Sequence, residues 1–171
     1  MRYTKTAGML VITVITFLLV ACEPGQDAPA EPAGRWQKIV EIHPVERTKV
    51  VQMMINAQNK LPTQKDIPSL ILSCQRGETD AYVIWRQYLG AYDLDVTWRA
   101  GSAPEVIESW SLSTDSEAIF APDAVEFIKQ VMLYDVLLVK TTPFNSEPMT
   151  VVFDTSNLDR EITELREACK W

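Results

Sequence analysis

Pro68-Ser69-Leu70-Ile71-Leu72-Ser73-Cys74 is an apolar run opened by a proline and followed by Arg76-Gly77-Glu78-Thr79. Leu70, Leu72 and Cys74 share one face under the two-residue period of a β-strand. A second run over residues 81–85 follows at once, so the glycine-bearing stretch between them predicts a hairpin turn. This unit sets the fold class, and similar runs extend it outward. Residues 49–55, 94–99, 108–113, 136–141 and 149–153 read as further strands, with Val96 and Trp98 on one face of theirs and Thr97 and Arg99 on the other. Two segments change period. Asp123 with Glu126 three residues on predicts a helix start, and Ala124, Phe127, Ile128, Val131 and Met132 follow at helical spacing. A second helix is predicted from Leu158, capped by Asn157, with Leu158, Ile162, Leu165 and Cys169 on one face. The expectation is a mainly β, α+β domain: an antiparallel, sandwich-like arrangement with one internal helix and one C-terminal helix.

The start of the chain reads as an address. Arg2 and Lys5 precede an uncharged apolar run from Met9 to Val20, the pattern of a secretory signal peptide over residues 1–21. Its end, Leu19-Val20-Ala21-Cys22, resembles a bacterial lipobox, in which Cys22 is acylated and becomes the first mature residue. Stable attachment then needs more than one acyl chain on that cysteine. Residues 22–34, with EPGQDAPAEPAG after the cysteine, lack large apolar side chains and read as a solvated tether, leaving 35–171 as one domain. Of 16 basic residues two lie in the leader, so the mature chain sets 14 against 23 acidic ones, a net charge of about −9. That balance disfavours nucleic acid and anionic lipid as partners and leaves the membrane to the anchor.

With Cys22 acylated, Cys74 and Cys169 remain, in a compartment where disulfides persist. A bridge between them is the expected state. A free buried thiol and a metal ligand are the competing readings, although His43 is the single histidine and no Cys-x-x-Cys spacing occurs. Chemistry-bearing motifs are otherwise absent: there is no phosphate-binding glycine loop and no Gly-x-Ser-x-Gly elbow, and His43-Pro44 reads as an exposed connection. The acid pairs Asp93/Asp95, Asp115/Glu117 and Asp123/Glu126 read as turns and solvated faces. No catalytic residue, metal site or cofactor is expected, and a carboxylate-pair hydrolase is the weakest reading.

The aromatics point to binding instead. Trp36, Trp85, Trp98, Trp110 and Trp171 are many for this length. Trp98 and Trp110 are expected in the core. Tyr88 and Tyr92, with Arg86 and Arg99 nearby, are candidate partner-binding residues, because tyrosine and arginine are enriched at interface hot spots.

Taken in order, the run ending at Cys74, residues 79–85 with Tyr88-Leu89, Val96-Thr97-Trp98-Arg99, Ser109-Trp110-Ser111-Leu112-Ser113-Thr114-Asp115, Phe127-Ile128, Thr142-Pro143-Phe144, Phe153-Asp154 and the ending Leu165-Arg166-Glu167-Ala168-Cys169-Lys170-Trp171 form a set. That set resembles the VasI/TagO family of proteins associated with bacterial type VI secretion, over residues 36–171. The resemblance implies a non-enzymatic accessory or assembly factor that binds protein partners in the cell envelope. It departs from the family pattern at Trp98-Arg99-Ala100-Gly101, where an acid is expected after the arginine. Glu23 after the lipidated cysteine favours the outer membrane, facing the periplasm. The alternative is a periplasmic inhibitor or sensor lipoprotein that binds an enzyme or a cell-wall fragment, which a pocket ringed by Arg86, Tyr88 and Tyr92 would favour.

Overall fold

Alternation of apolar and polar residues at period two marks most of the nine strands, described from a computed structural model covering residues 35–61 and 67–171. All described residues belong to the unit Glu31–Trp171. The expected signal peptide (1–21), acylated Cys22 and tether (22–34) lie outside the described residues. In chain order the elements are β1 (Gln37–Ile42), β2 (Lys49–Asn56), β3 (Ser69–Gln75), β4 (Glu78–Ile84), β5 (Leu94–Ala100), β6 (Val106–Leu112), β7 (Ala118–Phe120), α1 (Ala124–Val131), β8 (Val136–Thr141), β9 (Met149–Asp154), α2 (Leu158–Glu161) and α3 (Thr163–Cys169).

The strands form one sheet in the order β1-β2-β3-β4-β7-β6-β5-β8-β9, and every pairing is antiparallel. The longer inner strands and β9 turn apolar residues into the core: Val51, Met53 and Ile55 on β2, Leu70, Leu72 and Cys74 on β3, Val96 and Trp98 on β5, Val151 and Phe153 on β9. These residues share one core, so the two halves of a single sheet face it together, where two separate sheets would make an ordinary sandwich. The β3–β4 hairpin is tighter than the sequence suggests. Gln75 pairs with Glu78, and the turn is Arg76-Gly77 alone, both at positive φ (56° and 80°), the backbone twist a two-residue hairpin needs.

A side chain joins β2 to the far edge of the sheet. Past the end of β2, the Gln58 N–H donates to the Val152 carbonyl of β9. The Asn59 side chain then completes the ladder as a peptide would: its Nδ2 donates to the Thr150 carbonyl at 2.9 Å, and its Oδ1 accepts the Val152 N–H at 2.8 Å. Asn59→Ala is therefore expected to cost about 1–3 kcal/mol, since two backbone groups of a strand lose their partners at once. Thermal unfolding of the variant, together with faster amide exchange at Val152, checks this.

The helices close the core. Asp123 accepts the Glu126 N–H at 3.0 Å and caps α1 as the spacing predicts, and α1 buries Ala124, Phe127, Ile128 and Val131. The C-terminal helix is instead two short pieces interrupted at Ile162. The Thr163 hydroxyl donates to the Arg160 carbonyl at this break, a local bond that competes with helix continuation. Asn157 serves through its backbone, left-handed at φ 63°, and its side chain makes no capping bond. The buried stripe survives the break, because Leu158, Ile162 and Leu165 are all buried. It carries Cys169 to Cys74, and the two are joined as a disulfide spanning 95 residues.

Candidate protein-binding surface

The face of the first half-sheet turned away from the core is concave. Residues alternate with the core set along each strand, bringing Ile39 and Glu41 of β1, Val50 and Gln52 of β2, Ser73 of β3, Asp80, Tyr82 and Ile84 of β4 and Phe120 of β7 to one groove of about 620 Å³. The Tyr82 and Phe120 rings stack on its floor, centroids 4.5 Å apart and inclined by 25°. They are directly opposed in the β4–β7 register, the cross-strand position where aromatic pairs gain most. Gln52 Nε2 donates to the Tyr82 hydroxyl at 3.3 Å.

The groove is electronegative. Glu41, Asp80, Asp115 and Glu117 line it against the single guanidinium of Arg86. Burial, with Glu78 adding to it, holds the Asp80 carboxyl above its ordinary value. Burial also raises the Tyr82 phenol, partly opposed by the Gln52 bond and reinforced by Asp80. Asp115 moves the other way, lowered by the Ser113 hydroxyl and the Glu117 N–H that it accepts.

For Asp80 the sign is set by the raised value. The folded chain holds the proton more tightly than the unfolded one, so this stabilisation is complete below the ordinary value of 3.8 and is lost as pH rises through the folded value. Asp80→Asn is thus expected to raise stability at pH 7, by no more than about 0.5 kcal/mol because water screens the site. The gain should close as pH falls below the ordinary carboxyl value in paired denaturation curves.

The sequence-predicted candidates do not converge. Arg86 lines the groove. Tyr88, 61% exposed, lines a different pocket of about 540 Å³ with Leu61, Gln87, Pro148 and Met149. Tyr92, 84% exposed, and Arg99, pointing outward from β5, line neither of these. Neither concavity is ringed by Arg86, Tyr88 and Tyr92 together, and the backbone is left-handed at Arg86 (φ 58°), between the end of β4 and Tyr88. Trp98 and Trp110 are core residues, as expected. His43 steadies the β1–β2 turn, its Nδ1 accepting the Glu46 N–H at 3.2 Å. The acid pairs have local work too: Asp93 accepts the Leu112 N–H, and Asp123 caps α1. Among the described residues no group of three or more His, Cys, Asp or Glu side chains is placed to hold a metal ion. No helix among them is long and apolar enough to cross a membrane. Sequence reading missed Asp80, Tyr82, Gln52 and Phe120 as a set. The alternation in residues 78–84 is the one signal that places Asp80 and Tyr82 on a common outer face.

Architecture and surface together define a disulfide-stapled, mainly β domain with an acidic groove. In fold it resembles invasion associated protein B from Bartonella henselae, whose crystal structure superposes with a TM-score of 0.55 over 82% of this chain and 98% of that one, at 9% sequence identity. No curated protein sequence matches the chain. The family model for type VI secretion system VasI, EvfG, VC_A0118 matches residues 28–171. The protein belongs to the VasI family, which is associated with type VI secretion.

Proposed function

We propose that this protein is a lipid-anchored envelope lipoprotein that assists assembly or stability of a type VI secretion complex. It acts by binding a protein component on the periplasmic side of the outer membrane, without catalysis. The family match over residues 28–171 carries the reading. The lipobox ending at Cys22 supplies the attachment, and the run over 22–34 supplies reach. An acidic domain on such a tether works beside a membrane that its own surface does not attract.

Deleting the gene tests this in cells that carry the secretion system. Effector release should fall and return with the wild-type copy. Cys22→Ser should move the protein out of the membrane fraction and complement poorly, and unchanged fractionation would remove the anchor from the proposal. Crosslinking in intact cells should recover a secretion-complex component. Recovery of one soluble enzyme in its place would favour the inhibitor reading.

A further inference from the structure

We propose that β1 receives a strand from a protein partner: an extended segment in which apolar residues alternate with Lys or Arg. The inference rests on the assembly reading above and adds to it the place and the chemistry of contact.

β1 stands at the end of the sheet, and among the described residues its one strand neighbour is β2. An edge strand presents alternate N–H and C=O groups to any chain able to pair with them, and proteins ordinarily blunt such edges with proline, a bulge or an outward lysine. β1 has none of these. Its register with β2 runs without a bulge from Gln37 to Ile42. Its one lysine, Lys38, is drawn to Glu161 and Glu164, 3.6 and 3.4 Å away. Ile39, Val40 and Ile42 are instead 53%, 42% and 62% exposed. A partner strand laid beside Ile39 to Ile42 covers this apolar surface and pairs backbone groups there that face away from β2, the one strand neighbour among the described residues, in one step.

Charge selects the partner. Ile39 and Glu41 project to the face that carries the groove and line its rim, where four carboxylates meet one guanidinium. On that face the residue set opposite Glu41 is best a cation, since opposite charges directly across a strand pair attract and like charges repel. Residues 35–171 carry 14 basic and 20 acidic side chains, a net charge of −6, which adds attraction at longer range. A second copy of this chain is the poorer occupant. Antiparallel two-fold pairing of β1 with itself makes the two groove faces continuous and sets like charge beside like charge.

The test uses the purified full chain and a nine-residue peptide of alternating lysine and valine. Binding should slow amide exchange at residues 39–42. It should be lost when the two central valines are proline and when glutamate replaces lysine. Glu41→Lys, at an exposed position, should weaken the lysine peptide about tenfold and admit the glutamate peptide. Equal binding by the proline peptide, unaltered exchange at β1 or indifference to Glu41→Lys would each overturn the proposal.

In cells, a photo-crosslinking residue at position 40 or 92 separates this inference from the assembly reading. Capture of a basic, extended stretch of a secretion component from position 40 supports both. Capture from position 92 alone refutes the edge contact and keeps the assembly reading. A crosslink from position 40 to a second copy, or to residues 1–34 of the same chain, refutes it as well. Lysine-peptide binding at β1 with no secretion component captured at either position upholds the edge chemistry and removes the assembly reading.

Discussion

Replacing Cys74 and Cys169 together by alanine is expected to lower stability by on the order of 4–5 kcal/mol, a drop of roughly 10–18 °C in the unfolding midpoint. The bridge closes a loop of 95 residues, and cross-links that close long loops remove the most freedom from the unfolded chain. Its location adds to the effect. Cys74 is fully buried on β3, and Cys169 ends the short helix that covers β2 and β3. A helix of seven residues has little stability of its own, so the covalent tie keeps it seated. Nearby, Trp171 Nε1 donates to the Thr79 hydroxyl at 2.8 Å, and the Arg166 guanidinium lies 5.4 Å from the Trp171 ring. These contacts cannot replace the bridge, being one neutral hydrogen bond and one half-exposed cation–π pair. Reductant should bring the wild type down to the level of the double variant and leave the variant where it is. A wild type that ignores reductant, with its thiols shown to be free, would mean that packing alone holds α3.

Glu108→Ala should cost about 2–5 kcal/mol, a large effect for one partly exposed residue. Glu108 projects toward the core side of β6, and its Oε1 accepts two hydrogen bonds, from Trp98 Nε1 and Trp110 Nε1, each at 2.9 Å. Both indoles are buried, and each meets Phe127 of α1 edge-on, at 4.9 and 5.3 Å between centroids. One carboxylate oxygen thus fixes two rings that together hold a helix against the sheet. Alanine strands two buried N–H donors in an apolar setting. Glu108→Gln keeps an acceptor and loses the charge, so it should cost only about 1 kcal/mol. Denaturant unfolding should rank the wild type above Gln and Gln above Ala, with the near-ultraviolet signal of the indoles weakening in that order. Equal stability of all three would show that the shared bond contributes nothing.

Most of the strands were legible because their signal is local. Leu70, Leu72 and Cys74 alternate within one short run, and α1 has its cap, Asp123, and its buried stripe within nine residues. β1 and β7 were not legible. Ile39 and Val40 sit side by side and break the period, and β7 is three residues long, too short to show one. The break at Ile162 escaped for a related reason: a single threonine hydroxyl bonding back to Arg160 interrupts a helix whose apolar stripe continues unchanged. The groove was hidden more deeply. Its floor joins Tyr82 to Phe120 across 38 positions of chain, through a β4–β7 pairing that skips two strands.

Sequence alone therefore determined the antiparallel β class, the face that most long strands bury, the family pattern and the expectation that Cys74 pairs with Cys169. All of these depend on residue type and short-range spacing. The tertiary structure decided what the outer surface is. Strand order sets Phe120 against Tyr82 and beside Asp80, Arg86 and Tyr88 line different concavities, and Asn59 stitches β2 to β9. Those outcomes depend on which distant strands become neighbours, a choice made by the collective burial of one core and written in no single segment of the chain.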